Sequence, residues 1–254
     1  MIISQARTLL KGINDLIWPV VCMNCGQRLA DKKELLCRKC WNDLLECTAG
    51  SFCSRCGRDI SRYAMSQQDC PLCQNEKFHF DRIARAGIYD RSLREIILAF
   101  KAGKTELAEI LGSLCSAAFT GTGLADETDI FVPVPLHWTR QLRRGYNQSY
   151  LLTKIIARGN RNKTLINRDL IRTKMTRQQT VMTSAQQRKK NVSGAFTVVN
   201  NSELLGKVVC MVDDIKTTGA TLNECAKVLK KAGAKKVFAL VVAVAGQGLK
   251  QRQI

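Results

Sequence analysis

The sequence predicts an α/β fold with a parallel sheet, attached to a small cysteine-rich module at its N-terminal end. Three observations carry this expectation. Residues 208–212 are an unbroken apolar, β-favouring run of the kind found in strands covered on both faces. After it, Leu222, Cys225, Ala226 and Leu229 are spaced as one face of a helix that Gly233 can end, and Val237, Phe238, Leu240, Val241, Val242 and Val244 return as a second buried run, completing a βαβ unit with a right-handed crossover. Four Cys-x2-Cys pairs are concentrated between residues 22 and 73.

Residues 1–80 read as the module and 81–254 as the α/β domain. Ile2, Ile3, Ala6, Leu9, Leu10, Ile13, Leu16 and Ile17 follow helical spacing up to Pro19, which predicts a docking or core helix, with weak attachment to an anionic membrane surface as the alternative. No run of eighteen apolar residues occurs and the N-terminus lacks a small-residue cleavage pattern, so a cytosolic protein is expected. In that compartment twelve cysteines argue for metal rather than disulfides. Cys22-x2-Cys25 and Cys37-x2-Cys40 are separated by eleven residues, and Cys53-x2-Cys56 and Cys70-x2-Cys73 by thirteen. Each set can supply four thiolates to one tetrahedral centre, and Gly26 and Gly57 stand where a tight turn aims backbone N–H groups at sulfur. Two structural zinc ions are expected, in tandem four-cysteine ribbons, against redox-active pairs or an iron–sulfur cluster as competing readings. Such a closed centre holds together a module too small for a core of its own. Cys47, Cys115, Cys210 and Cys225 fall outside the pattern and read as small buried residues.

Past Phe80 strand-like and helix-like segments alternate. Residues 83–89 read as a strand, Leu93, Ile96, Ile97 and Phe100 as a helix face, 104–119 as a helix, 130–134 as a strand and 148–156 as a helix. The chain holds 40 Lys and Arg against 21 Asp and Glu, and between Trp138 and Lys190 fourteen basic residues face a single acidic one, Asp169. Such a segment favours phosphates, of a diphosphate or of single-stranded nucleic acid, with a solvated basic loop as the bland alternative.

Asp213 and Asp214 follow the run 208–212, where α/β sheets place ligands, and their carboxylates can accept hydrogen bonds from two vicinal hydroxyls. Thr217, Thr218, Gly219, Ala220 and Thr221 lead into the next helix, whose unpaired N–H groups and dipole favour an anion. A ribose 5-phosphate has both features; a helix cap beside a solvated acidic turn is the alternative. Further upstream, Pro133 and Pro135 stiffen a turn that precedes Arg140, Arg143 and Arg144, which can clamp a diphosphate bidentately. Gly145, Tyr146, Asn147 and Gln148 open the following helix, and an exposed basic turn with an Asn cap is the competing reading. His137 receives no acid–base role, since lone histidines are usually packing or surface residues.

The stretch 208–221, VVCMVDDIKTTGAT, closely resembles the 5-phosphoribosyl-1-diphosphate (PRPP) signature of type I phosphoribosyltransferases. Together with 132–148, 176–196 and the cysteine pairs, it makes nearly the whole chain resemble the ComF/GntX family of competence proteins. The resemblance implies a type I phosphoribosyltransferase-like domain with a Rossmann-like parallel sheet behind a double zinc ribbon. Asp213 and Asp214 would contact the ribose hydroxyls, Thr217, Thr218, Gly219, Ala220 and Thr221 the 5-phosphate, and Arg143 and Arg144 the diphosphate, with Mg²⁺ accompanying PRPP. Residues 136–145 would lie near the diphosphate, and residues 173–188 would cover the substrate. Incoming single-stranded DNA and a helicase or channel protein of DNA uptake are the implied partners, and the location is the cytoplasm or the periphery of the inner membrane. DNA phosphates are expected on Arg140, Arg143, Arg144, Arg172, Lys174, Arg177, Arg188, Lys189 and Lys190. Lys216, inside the loop, either adds a phosphate contact or points to solvent. A metabolic phosphoribosyltransferase acting on a nucleobase or amine, and a non-catalytic nucleic-acid module, are the other functions the residues allow; no residue stands out as a base for an acceptor.

Overall fold

The computed structural model describes residues 19–60, 70–160, 165–166, 168–174 and 185–245. The helix expected within 2–17 and the centre of the expected cover, 175–184, lie outside these residues. The described strands are β1 (Arg82–Ile88), β2 (Ile130–Pro133), β3 (Leu165–Ile166), β4 (Leu170–Arg172), β5 (Phe196–Val198), β6 (Val208–Lys216) and β7 (Lys236–Val244). The described helices are α1 (Arg38–Thr48), α2 (Arg91–Lys101), α3 (Leu107–Gly121), α4 (Leu124–Glu127), α5 (Trp138–Arg144), α6 (Gln148–Gly159), α7 (Ala185–Val192) and α8 (Ala220–Lys231).

Five strands form one sheet in the order β1-β7-β6-β2-β3, and every pairing in it is parallel. β4 and β5 make a separate antiparallel ribbon. Successive strand residues point to opposite faces, so the apolar runs of β6 and β7 are divided between two cores. Cys210, Val212, Phe238, Leu240 and Val242 join α2, α3 and α6 on one face. Val209, Met211, Val237, Ala239 and Val241 join α8, α7 and β5 on the other. A sheet buried on both sides has no polar face to show, which is why these strands read as continuous apolar runs rather than as alternating ones.

The helix boundaries follow from capping. Asp90 accepts from Arg91 N at 2.8 Å to start α2, and Asn147 accepts from Ser149 N at 3.0 Å to start α6. α8 keeps its expected face, with Leu222, Cys225, Ala226 and Leu229 all buried. One strand differs from expectation: β6 runs four residues past Val212, through both aspartates, to Lys216. The cause is its neighbour. β7 continues to Val244, and the pairs Asp213–Val241, Ile215–Ala243 and Lys216–Val244 keep the ladder closed over polar residues.

Candidate functional site

The cysteines assemble as their spacing requires. The sulfur atoms of Cys22, Cys25, Cys37 and Cys40 lie within 4.8 Å of one another, and so do those of Cys53, Cys56, Cys70 and Cys73. In the first centre Cys37 caps α1, accepting from Cys40 N at 3.5 Å, and Asn24 Nδ2 donates to Cys40 Sγ at 3.3 Å. In the second, Arg55 N donates to Cys53 Sγ at 3.4 Å. Burial, followed by crowding from Cys25, Cys37 and Cys22 against a lowering contact from Asn24, pushes the Cys40 thiol up to about 12. Cys56 is pushed up to about 11, again mainly by burial. Four thiols so close do not all ionise alone, whereas a divalent cation takes all four as thiolates. Two clusters of four sulfurs suit structural zinc, which such ligand sets bind tetrahedrally with no position left for substrate.

The centres attach to the sheet differently. Leu44 and Cys47 of α1 are buried in the same core as Leu93, Ile96 and Ile97 of α2. Gly87 on β1 permits that contact, because a Cβ there would stand 2.6 Å from the Cys47 carbonyl oxygen. The second centre meets β1 through its backbone, Ile83 N donating to Ser54 O at 2.7 Å. Arg85, almost wholly buried, pairs with Asp59 and lies over the Phe52 ring at 5.1 Å.

At the far end of β6 the two aspartates are partly buried within the strand rather than displayed at an exposed end. Asp213 Oδ1 accepts from Ser149 Oγ at 3.0 Å and from Asp214 N at 2.8 Å. Asp214 Oδ2 pairs with Lys101 Nζ at 2.9 Å, both side chains being largely buried. Burial first, and then the neighbouring Asp214 carboxylate, raise Asp213 from the ordinary 3.8 to about 7. Immediately beyond, Gly219 caps α8 in the left-handed region at φ +79°, and Thr218 Oγ1 accepts from Ala220 N at 3.4 Å. Thr217, Thr218, Gly219, Ala220 and Thr221 therefore wrap the positive end of a twelve-residue helix, next to the carboxylate pair.

The basic segment is folded in part around this end of the sheet. Arg143, exposed, and Arg144, half-buried, occupy the last turn of α5, while Trp138 and Leu142 are 64% and 74% exposed. Burial, then the guanidinium groups of Arg172, Arg144 and Arg143, lower the pKa of Arg140. Arg172 on β4 lies over Phe196 at 5.2 Å and feels the charge of Asp213. Arg172 is thus the link between the arginines of α5 and the carboxylate end of β6. Arg177 lies outside the described residues, whereas Arg188, Lys189 and Lys190 fall on α7. His137 is a structural cap: it starts α5, with Nδ1 2.8 Å from Thr139 Oγ1.

Lys101 and Ser149 carry this site as well, and sequence reasoning missed both. Lys101 looks like an ordinary basic residue in the last turn of a helix, and Ser149 like the second residue of another. Only the sheet order brings α2 and α6 to the carboxylates. Lys216 is 1% exposed, so it does not point to solvent.

Known proteins resemble the chain in both parts. A double zinc ribbon domain matches residues 13–74, and a phosphoribosyl transferase domain matches residues 164–254. Competence protein F of Haemophilus influenzae is 31% identical over 85% of this chain and 93% of its own length. Competence protein ComFC of Bacillus subtilis is 26% identical over 79% of this chain and 80% of its own. DNA utilization protein YhgH of Escherichia coli is 29% identical over 86% of this chain and 94% of its own.

Proposed function

This chain belongs to the ComF/GntX family of competence proteins, and we propose that it binds PRPP with Mg²⁺ at the end of β6 and handles single-stranded DNA during DNA uptake. The observation that carries the PRPP reading is the carboxylate pair near the end of the central strand, followed directly by the glycine-capped start of α8. Asp213 and Asp214 accept hydrogen bonds from the two ribose hydroxyls. The 217–221 loop holds the 5-phosphate on backbone N–H groups, threonine hydroxyls and the helix dipole. Ser149 orients Asp213, and Lys101 gives up its contact with Asp214 when a hydroxyl takes its place. Arg143 and Arg144, on the last turn of α5, meet the diphosphate, whose charge Mg²⁺ partly neutralises when bound.

A DNA role is favoured by a separate observation, the gathering of Arg140, Arg143, Arg144 and Arg172 beside an exposed Trp138. The names of the relatives, two competence proteins and a DNA utilization protein, agree with it. Among the described residues no helix is long and apolar enough to cross a membrane.

Calorimetry with PRPP and Mg²⁺ on the double variant Asp213→Asn, Asp214→Asn, run beside thermal melts, tests the binding site. Affinity should fall at least tenfold with the melt little changed. Unchanged affinity, or collapse of the fold, would make the carboxylates structural.

A further inference from the structure

We propose that Lys216 is the counter-ion of the second cysteine centre and the residue that positions the 217–221 loop, so that zinc in that centre governs how well the loop holds a phosphate. Lys216 closes β6 with its side chain buried, and its Nζ has no hydrogen-bond partner among the described residues. A buried ammonium is costly unless it is paired. Its ring contact, Phe78 at 5.7 Å, does not replace an anion.

That same Phe78 packs against Cys53, Cys56, Cys70 and Cys73, and Val244, the strand partner of Lys216, lies 3.0 Å from a Cβ built on Gly57, so the second ribbon stands directly beside the ammonium. Burial apart, the groups acting on Lys216 belong to that ribbon: Arg58 opposes its charge, while Cys56, Glu76 and Cys73 favour it. Arg58 and Glu76 pair with each other at 2.6 Å and so largely cancel. What remains is the cysteines. A divalent zinc with four thiolates carries a net double negative charge, which supplies the anion the ammonium lacks.

The same side chain lies under the loop. A Cβ on Gly219 would stand 3.0 Å from Lys216 Cε, so the aliphatic stem forms the floor of the turn. Its main chain is held as well, Ala245 N donating to Lys216 O at 2.8 Å. A second strap joins the ribbon's exit to the helix after the loop, where His79 N donates to Asn223 Oδ1 at 2.5 Å. Without metal the buried ammonium lacks its compensating anion, and the floor of the loop loses the partner that fixes it.

The loop half of this inference rests on the PRPP reading, whereas the counter-ion half does not. Full-length Lys216→Met and Lys216→Arg are compared for zinc release to a chromogenic chelator and for PRPP·Mg²⁺ binding. Lys216→Met should release one of its two zinc ions about tenfold faster or more, the scale on which partners of metal ligands act. The other ion should leave at the wild-type rate, PRPP affinity should fall, and Lys216→Arg should retain both zinc ions. Wild-type release of both ions from Lys216→Met would overturn the proposal. Should Lys216→Met fail to fold, hydrogen exchange on Cys70→Ser decides: amides 217–221 should lose protection while those of α1 keep it, and unchanged protection at 217–221 would overturn the coupling. If the wild-type protein binds no PRPP, the proposed function falls, and zinc release still decides the counter-ion.

Discussion

The first cysteine centre is built into the main core, whereas the second is built against the end of the sheet that carries the 217–221 loop. Cys22, Cys37 and Cys40 are buried in one cluster with Leu44, Leu93, Ile96 and Phe100, and that cluster also holds Leu152 and Ile156 of α6. Cys53, Cys56, Cys70 and Cys73 form a small cluster of their own, bordered by Ile60 and Phe78. Ligand spacing specifies the metal, and the neighbours specify the role. The first centre shares its core with α2 and α6, which deliver Lys101 and Ser149 to the aspartates. The second lies within the charge field of Lys216, under the 217–221 loop. The two halves of the candidate site therefore pack against different cysteine centres.

Substituting the centres in turn should give the largest effect. Cys37→Ser removes a ligand, the cap of α1 and a core contact together, and should destabilise the whole chain by about 3 kcal/mol or more. Cys56→Ser should lose one zinc with a smaller drop in the melting temperature. Elemental analysis and thermal melts measure both, and equal losses of stability would erase the distinction between the centres.

The next effect separates the ribose half from the phosphate half. Ser149→Ala deletes a hydrogen bond to a charged acceptor and should weaken PRPP binding about tenfold, while zinc content stays at two. Calorimetry paired with zinc analysis checks this. A loss of metal would show that α6 supports the first centre rather than the ligand.

A smaller effect follows from pH. Because Asp213 is raised from 3.8 to about 7, the ligand-free fold holds a proton that the unfolded chain releases, so this residue's contribution to stability is fully present below 3.8 and is lost as pH rises through about 7. Ligand binding runs the opposite way, since the ionised carboxylate is the better acceptor: PRPP affinity should rise several-fold between pH 6 and 8. Asp213→Asn should flatten that rise, and a rise that persists in the variant would move the titration to another group.

The smallest effect expected concerns the basic segment, which depends on neither centre. If about five of its cations reach phosphates of single-stranded DNA, log K should fall with log salt at a slope near −3.5, and replacing Arg140, Arg143 and Arg144 by alanine should make that slope shallower by about 2. A slope near zero would leave these arginines to PRPP alone.

Much of this was legible in sequence because the signals are local. The Cys-x2-Cys pairs meet across short loops, the β6–α8 turn is continuous in the chain, and the apolar runs of β6 and β7 announce strands buried on both faces. Spacing and periodicity are enough for such features, since each ligand set, turn and strand is specified by residues near one another. Tertiary structure alone decided the rest. β7 carried the ladder past Val212 and drew both aspartates into the strand, raising Asp213. The order β1-β7-β6-β2-β3 brought Lys101, Ser149 and the second ribbon to one strand from distant positions. Lys216, which by pattern reads as a loop cation, became a buried charge because its register opposite Val244 turns it beneath Gly219 and toward the second ribbon, and a one-residue pattern has no means of encoding which face of a sheet an element distant in the chain will cover.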